Sequence, residues 1–239
     1  MHYCISDIHG WLDKYEKVLN YVKDEDTLYI LGDVIDRGED GLKILNDIEK
    51  RKNIVFIVGN HELFLYNYLK TLNNEFENKK VKAIWTMECN GGTVTKEQVD
   101  LLSNEEKLKI QRFLEDSYLI KRVEIKGTKY HLSHAYTLFY IKNDLKFKDT
   151  TNSEKRKVVW NSVFPRRSDP FGKTIDDTGE IYIFGHTPVQ KVEDNAFDYK
   201  IIHGYKNAEF YDIDCGCAYG EDFSRLALFC LEDKSVIYF

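Results

Sequence analysis

The chain has 239 residues, 43% of them hydrophobic, enough for a sizeable buried core, and a formal net charge of −6. That charge argues against a broad nucleic-acid footprint, because phosphate backbones are held mainly by Lys and Arg; substrates with one or two phosphates stay compatible. No apolar stretch reaches membrane-spanning length, Met1-His2-Tyr3-Cys4 runs into a strand rather than a signal sequence, and five cysteines suit a reducing compartment, so a cytoplasmic protein without membrane association is expected.

In chain order, Tyr3-Cys4-Ile5 reads as a strand running into Asp7-Ile8-His9-Gly10, followed by a helix with Leu12, Tyr15, Leu19 and Val22 on one face. A second strand at 28–31 ends on Gly32-Asp33, and a second helix carries Leu42, Leu45 and Ile48. A third strand at 54–58 ends on Gly59-Asn60-His61-Glu62 and passes into a helix through Leu63, Phe64, Tyr66, Leu69 and Leu72. This β-α-β-α-β order predicts an α/β fold. Most of 65–117 reads as helical, with a capping box in Ser103-Asn104-Glu105-Glu106. From residue 118 the pattern turns to strands at 118–124, 129–133, 181–184, 209–213 and 226–231, and the polar stretches at 143–157 and 166–180 read as loops at the rim of a site. The strand at 129–133 delivers His134, and that at 181–184 delivers Gly185-His186-Thr187. The five ligand-bearing ends span residues 7 to 186, so a single domain over 1–239 is expected.

Open α/β sheets place their sites just beyond the carboxyl ends of strands, so the five ends should converge. Asp7, His9, Asp33, Asn60, His134 and His186 offer two carboxylates, one amide and three imidazoles, a mixed set suited to Mn, Fe or Zn rather than Ca. Six ligands are too many for one catalytic metal and fit two. Divalent ions ~3.5–4 Å apart repel by ~5 kcal/mol even at the dielectric constant of water, so Asp33 and a hydroxide are expected to bridge them. Two metals and two carboxylates leave a locally cationic pocket that should attract phosphate. Arg37, in Gly32-Asp33-Val34-Ile35-Asp36-Arg37-Gly38, can offer a planar fork to two phosphoryl oxygens. His61 can reach the site without being a ligand, as a general acid requires, and Asp36 is the natural partner to keep it cationic.

Blander roles are expected elsewhere. His2, His131 and His203 read as structural or exposed; Asp13, Asp24 and Asp26 as solvated faces; and Cys215 and Cys217, one residue apart on a strand, as pointing the same way into packing. By contrast, the five fixed positions of Gly32-Asp33-x-x-Asp36-Arg37-Gly38 arise by chance in roughly one chain of this length in 10⁴.

Asp7-x-His9-Gly10, the Gly32–Gly38 segment, Gly59-Asn60-His61-Glu62, His134 and Gly185-His186-Thr187 together resemble the calcineurin-like metallophosphoesterases, in particular the compact bacterial and lambda-phage-type members of the phosphoprotein phosphatase group. The resemblance spans nearly the whole chain. It implies a four-layer αββα sandwich of two mixed sheets flanked by helices, with 65–117 as a helical insertion, and a preference for manganese. It implies Asp7, His9, Asp33 and His186 around one metal, and Asp33, Asn60, His134 and His186 shared or divided around the second, with His61 as proton donor paired to Asp36 and Arg37 and Asn60 contacting phosphate. Small members carry an arginine two residues after a tryptophan; here Trp160-Asn161 is followed by Ser162, which leaves Arg166 or Arg167 to contact the substrate.

The activity implied first is that of a serine/threonine protein phosphatase acting on a phosphoprotein or phosphopeptide, by in-line attack of the bridging hydroxide with no covalent intermediate. The alternative is a symmetrical dinucleoside tetraphosphatase, ranked second because those relatives typically lack an acid immediately before the arginine, whereas Asp36 stands there. A catalytically inactive metal-binding interaction module ranks last, since every expected catalytic position is filled.

Overall fold

The computed structural model describes residues 1–137, 143–161, 179–192, 200–203, 209–219 and 224–239. The first half alternates strand and helix: β1 (His2–Ile5), α1 (Leu12–Tyr21), β2 (Thr27–Ile30), α2 (Gly41–Lys50), β3 (Ile54–Phe56) and α3 (Asn60–Lys70). Three helices follow, α4 (Glu75–Trp85), α5 (Thr93–Asp100) and α6 (Asn104–Asp116), as expected for 65–117. The second half brings β4 (Tyr118–Ile125), β5 (Thr128–Ser133), β6 (Leu145–Lys146), α7 (Asn152–Val159), β7 (Ile181–Phe184), α8 (Val189–Val192), β8 (Ile202–His203), β9 (Glu209–Asp212), β10 (Ala227–Cys230) and β11 (Val236–Tyr238).

Two mixed sheets result, in the orders β11-β10-β1-β2-β3 and β6-β4-β5-β7-β9-β8. In the first, β1, β2 and β3 run parallel, and in the second β5, β7 and β9 do, so each sheet has a parallel centre whose carboxyl ends can face one site. Alternation along β1 shows how the layers are divided. Tyr3 and Ile5 pack with Val18, Ile44 and Leu45 of α1 and α2, while Cys4 points to the opposite face among Leu132, Ile183 and Phe210 of the second sheet. A strand buried on both faces needs apolar residues at every position, which these short runs provide. The sheets join where β3 ends, Val58 donating its N–H to the Tyr118 carbonyl at 2.8 Å.

Three expectations are corrected. The stretch 143–157 is not a loop: it holds β6, a 3-10 turn at Phe147–Asp149 and most of α7. The signal was Thr151-x-x-Glu154, a capping box with reciprocal bonds like those of Ser103 and Glu106, hidden in a polar run. Val158 and Val159 of α7 are buried, and Lys155 lays its chain inward with its ammonium 4.3 Å from the centre of the Phe147 ring. Cys215 and Cys217 are both buried but not on a strand; Gly216 turns at φ +69° between them, so Cys215 enters the core between the sheets and Cys217 the core beneath the helices. Asp26 is not solvated: it is buried and accepts from the N-terminal ammonium at 2.5 Å and from the Lys23 N–H at 3.0 Å. Most of 166–180, including Arg166 and Arg167, lies outside the described residues, as does the side chain of His203.

Candidate functional site

The loops after β1 and β2 are laced together by backbone bonds, with the N–H groups of Asp7, His9 and Gly10 donating to the carbonyls of Gly32, Asp33 and Val34 at 3.1, 2.9 and 2.8 Å. Such close apposition forces the chain into unusual dihedrals. Eight described non-glycine residues have positive φ, and six of them are Asp7, His9, Asp33, Asp36, Arg37 and His186. Each such conformation costs about 1–3 kcal/mol and persists only where the surroundings over-determine it. Glycine is required where the loops touch: a Cβ on Gly32, whose φ is +83°, would sit 2.5 Å from the Gly59 nitrogen, and a Cβ on Gly59 would overlap the Asp33 carboxylate.

The strand ends converge as the sequence predicts. Asp7, His9, Asp33, Asn60 and His186 line one cavity of about 130 Å³ together with His61 and Arg37. His134 lies fully buried beside it, its Nε2 2.8 Å from Asn60 Oδ1 and 3.2 Å from His186 Nδ1. Two groups of ligand atoms form, His9-Asp33-His61 and Asp33-His134-His186, and Asp33 is common to both. Asp33 Oδ2 stands 3.8 Å from His9 Nε2 and 3.7 Å from His61 Nε2, and Oδ1 3.4 Å from His134 Nε2. Asp7 joins from the side, its Oδ2 accepting the His186 N–H at 3.0 Å and the Ser6 hydroxyl proton.

The hydrogen bonds behind these groups suit a metal. His9 Nδ1 faces the Ile35 carbonyl at 3.0 Å and His134 Nδ1 the Leu31 carbonyl at 2.7 Å, so each ring donates backward and turns the lone pair of Nε2 into the cluster. Metal-ligating histidines are almost always held in this way. Burial, reinforced by Arg37 and His61, holds His9 well below its ordinary pKa; burial also lowers His134; and burial, with His134 next, lowers His186 to about 3. Neutral imidazoles are the ligating form. Burial opposes charge on Asp33, yet His134, His61, His9 and His186 hold its carboxyl below the usual range. Burial, with the charges of Asp214 and Asp33, pushes Asp7 well above it.

His61 is set apart from these rings. Its Nδ1 lies 2.7 Å from Asp36 Oδ2, in a carboxylate with no exposed surface, and its Nε2 points into the cavity. Burial works against a proton on His61, but the charge of Asp33 and the bond to Asp36 outweigh it and raise its pKa. Among the described histidines this one is biased toward the charged form.

Sequence reasoning overlooked the groups that hold the site. Glu62, with no exposed surface, accepts from three backbone N–H groups, those of Asp33, Val34 and Gly59, each at 2.9 Å. Trp85, at the end of α4, donates Nε1–H to Asp36 Oδ2 at 2.7 Å, and the Thr95 hydroxyl of α5 accepts the Asp36 N–H at 2.9 Å. Asp214 lines the cavity, and burial raises its pKa to about 7. The only signal for Glu62 was its place after Asn60-His61; for Trp85 there was none. Arg37 is exposed at the cavity mouth, its N–H bonded to the Gly91 carbonyl at 3.0 Å.

Residues 3–206 match the family described as Calcineurin-like phosphoesterase, whose members depend on a pair of metal ions. Among curated proteins, the "Bis(5'-nucleosyl)-tetraphosphatase, symmetrical" of Wigglesworthia glossinidia brevipalpis is 42% identical over 81 residues, which is 31% of this chain and 30% of that protein. The protein of the same name from Buchnera aphidicola subsp. Schizaphis graminum (strain Sg) is 39% identical over 82 residues, 33% of this chain and 29% of that one. The chain thus aligns with less than a third of the length of these relatives. A solved structure described as a candidate diadenosine tetraphosphatase superposes over 100% of this chain and 92% of its own with a TM-score of 0.57 at 17% identity. A cold-active protein tyrosine phosphatase does so over 99% and 78%, with a TM-score of 0.54 at 13% identity. At these identities the likeness is one of fold. The curated relatives overturn the expectation of a serine/threonine protein phosphatase with a phosphoprotein or phosphopeptide partner. The inference from Asp36 failed for a physical reason: Asp36 has no exposed surface and is bonded to His61 and Trp85, out of reach of the parts of a substrate that tell one phosphate ester from another.

Proposed function

We propose that this chain, which belongs to the calcineurin-like phosphoesterase family, hydrolyses bis(5′-nucleosyl) tetraphosphates symmetrically, releasing two nucleoside diphosphates. The observation that carries the hydrolytic site is the pair of ligand groups meeting at Asp33, beside a histidine held by Asp36. The tetraphosphatase name of the curated relatives supports the substrate.

Asp7, His9 and Asp33 would hold one divalent cation, and Asp33, Asn60, His134 and His186 the other, on the side where the His134 and His186 nitrogens meet Asn60 Oδ1. When bound, such ions neutralise phosphoryl oxygens and acidify a water enough to attack phosphorus near neutral pH. The mixed imidazole, carboxylate and amide set accepts Mn, Fe or Zn alike. Among the protein's own groups, Arg37 at the mouth presents its guanidinium to the phosphate chain, and Asn60 steadies the reacting phosphoryl group. His61 gives the proton on Nε2 to the departing oxygen while Asp36 keeps its Nδ1–H in place. Water contributes the new P–O bond at one side of the central anhydride, and the opposite diphosphate leaves with the proton. No helix among the described residues is long and apolar enough to cross a membrane.

The test is turnover of diadenosine tetraphosphate and of a phosphoserine peptide, each with Mn, Fe or Zn and after chelation. We expect two molecules of ADP per nucleotide, activity lost with the metal, and little action on the peptide. AMP and ATP as products, or faster turnover of the peptide, would overturn the assignment.

A further inference from the structure

A cavity of about 130 Å³ holds phosphates but not a nucleoside; pockets for molecules of nucleotide size occupy roughly 300–1,000 Å³. A second cavity of about 660 Å³ adjoins it between α3, α4 and α7, and Asn90 and Trp160 are walls of both. Leu63 and Phe64 of α3 and Val81 and Ile84 of α4 make its apolar lining, with Asn67, Glu77, Lys80 and Arg156 at its polar edge, where Lys80 Nζ lies 3.5 Å from Glu77 Oε1. Trp160 links the two spaces. Its ring meets Phe64 edge to face at 5.1 Å and His186 at 6.1 Å, and the residue remains 39% exposed. Ile84 is 51% exposed and leaves its aliphatic face open to the groove. A cavity of about 940 Å³ between α1 and α2 shares no wall with the catalytic one.

We infer that the α3–α4–α7 groove is the subsite for one nucleoside of a nucleotide substrate, its base stacking on Trp160 and resting against Ile84, with the phosphates running past Asn90 to the metal-binding cleft. The occupant follows from chemistry on both sides. A flat base with an apolar face matches an indole and aliphatic lining, and the anionic tail is drawn by Arg156 at the edge and Arg37 at the cleft, Lys80 being offset by its neighbour Glu77. A dinucleoside polyphosphate also needs a place for its base next to the reacting phosphates, and this groove opens directly from them. The inference rests on the nucleotide reading above.

It is tested by equilibrium binding of ADP and of inorganic pyrophosphate to the metal-loaded protein, for the wild type, Trp160→Ala and Ile84→Ser. ADP should bind at least tenfold tighter than pyrophosphate. Trp160→Ala should weaken ADP about ten- to a hundredfold more than it weakens pyrophosphate. Ile84→Ser, on the α4 wall and exposed enough to leave folding intact, should weaken ADP severalfold more than pyrophosphate. Equal affinities in the wild type, or equal losses for both ligands in both variants, would overturn the subsite whatever the protein hydrolyses. Preferential ADP binding that is lost in the variants, in a protein that does not turn over diadenosine tetraphosphate, would leave the groove standing and reject the tetraphosphatase reading.

Discussion

His61 and Glu62 are neighbours with opposite tasks. His61 faces the cavity, and the proton-donor role proposed for it makes a prediction that depends on the leaving group. We expect His61→Asn to cost about 10²–10⁴ in rate for an alkyl phosphate monoester, whose alkoxide must be protonated. On a dinucleoside tetraphosphate the loss should be at least tenfold smaller, because a diphosphate is a far better leaving group than an alkoxide and depends less on the proton from His61. Comparing kcat/KM for both substrates decides it: equal losses would remove His61 from the acid role. Glu62 faces away and binds the loops that carry Asp33 and Gly59. Burial, and after it the charge of Asp33, raises its pKa to about 7, although three N–H groups favour the carboxylate. Glu62→Gln puts an amide donor against one of those N–H groups. We expect it to destabilise the fold by about 1–3 kcal/mol and to lower metal occupancy as Asp33 shifts, read from urea midpoints and metal content per chain. An unchanged midpoint with full occupancy would show that the clamp is dispensable.

At the scale of elements, the helical insertion is part of the site. Trp85 reaches from α4 to Asp36, and the Asp36 N–H is taken by Thr95 of α5, so two helices far along the chain hold the partner of His61. Asp36 Oδ1 has no partner among the described residues, so the bond from Trp85 is one of only two that the carboxylate makes to side chains there. Trp85→Phe keeps the aromatic packing and removes the donor. We expect a loss of about 1.5–3 kcal/mol in stability, with a fall in kcat larger than any rise in KM, measured by urea unfolding and steady-state kinetics. Wild-type values in both would separate the insertion from catalysis. The type of these helices was legible, since the apolar spacing from Leu63 to Leu72 and the box at Ser103 are local signals. Their docking was not, because a buried indole N–H reads in sequence as one more aromatic core residue. At α7 even the element was misread, although Thr151 and Glu154 carried the same local signal, because the basic run from Lys155 to Lys157 resembled a solvated loop.

For the whole molecule, the two-sheet core buries a histidine that is not among the residues lining the candidate site. His131 on β5 has no exposed surface, and burial, with a smaller push from Arg122, lowers its pKa to about 3. Between that value and the ordinary pKa near 6.5, the unfolded chain binds a proton at this position and the folded chain does not. Stability from this group is therefore complete above about pH 6.5 and is lost as pH falls toward 3. At pH 5 the loss should be about 2 kcal/mol. Urea midpoints at pH 7 and pH 5 should differ less in His131→Asn than in the wild type; an identical pH response in the two would exclude His131 as a source of acid sensitivity.

The β-α-β-α-β order of the first half, and the placing of Asp7, His9, Asp33, Asn60, His134 and His186 where apolar runs end, were determined by the sequence alone. Each is a local matter of periodicity, a turn glycine or a side chain at a strand end. Only the tertiary structure decided that Asp33 stands between two groups of nitrogens, that Glu62 and Trp85 hold the site from behind, and that an apolar groove opens beside it, since these depend on contacts such as Asp33–Glu62, Asp36–Trp85 and Asn60–His186, which join residues 29, 49 and 126 positions apart. The substrate class escaped the motifs for the same reason. They encode the chemistry at phosphorus, which phosphate esters and anhydrides share, whereas the surfaces that recognise the rest of a substrate are assembled from residues whose spacing in the chain follows no pattern.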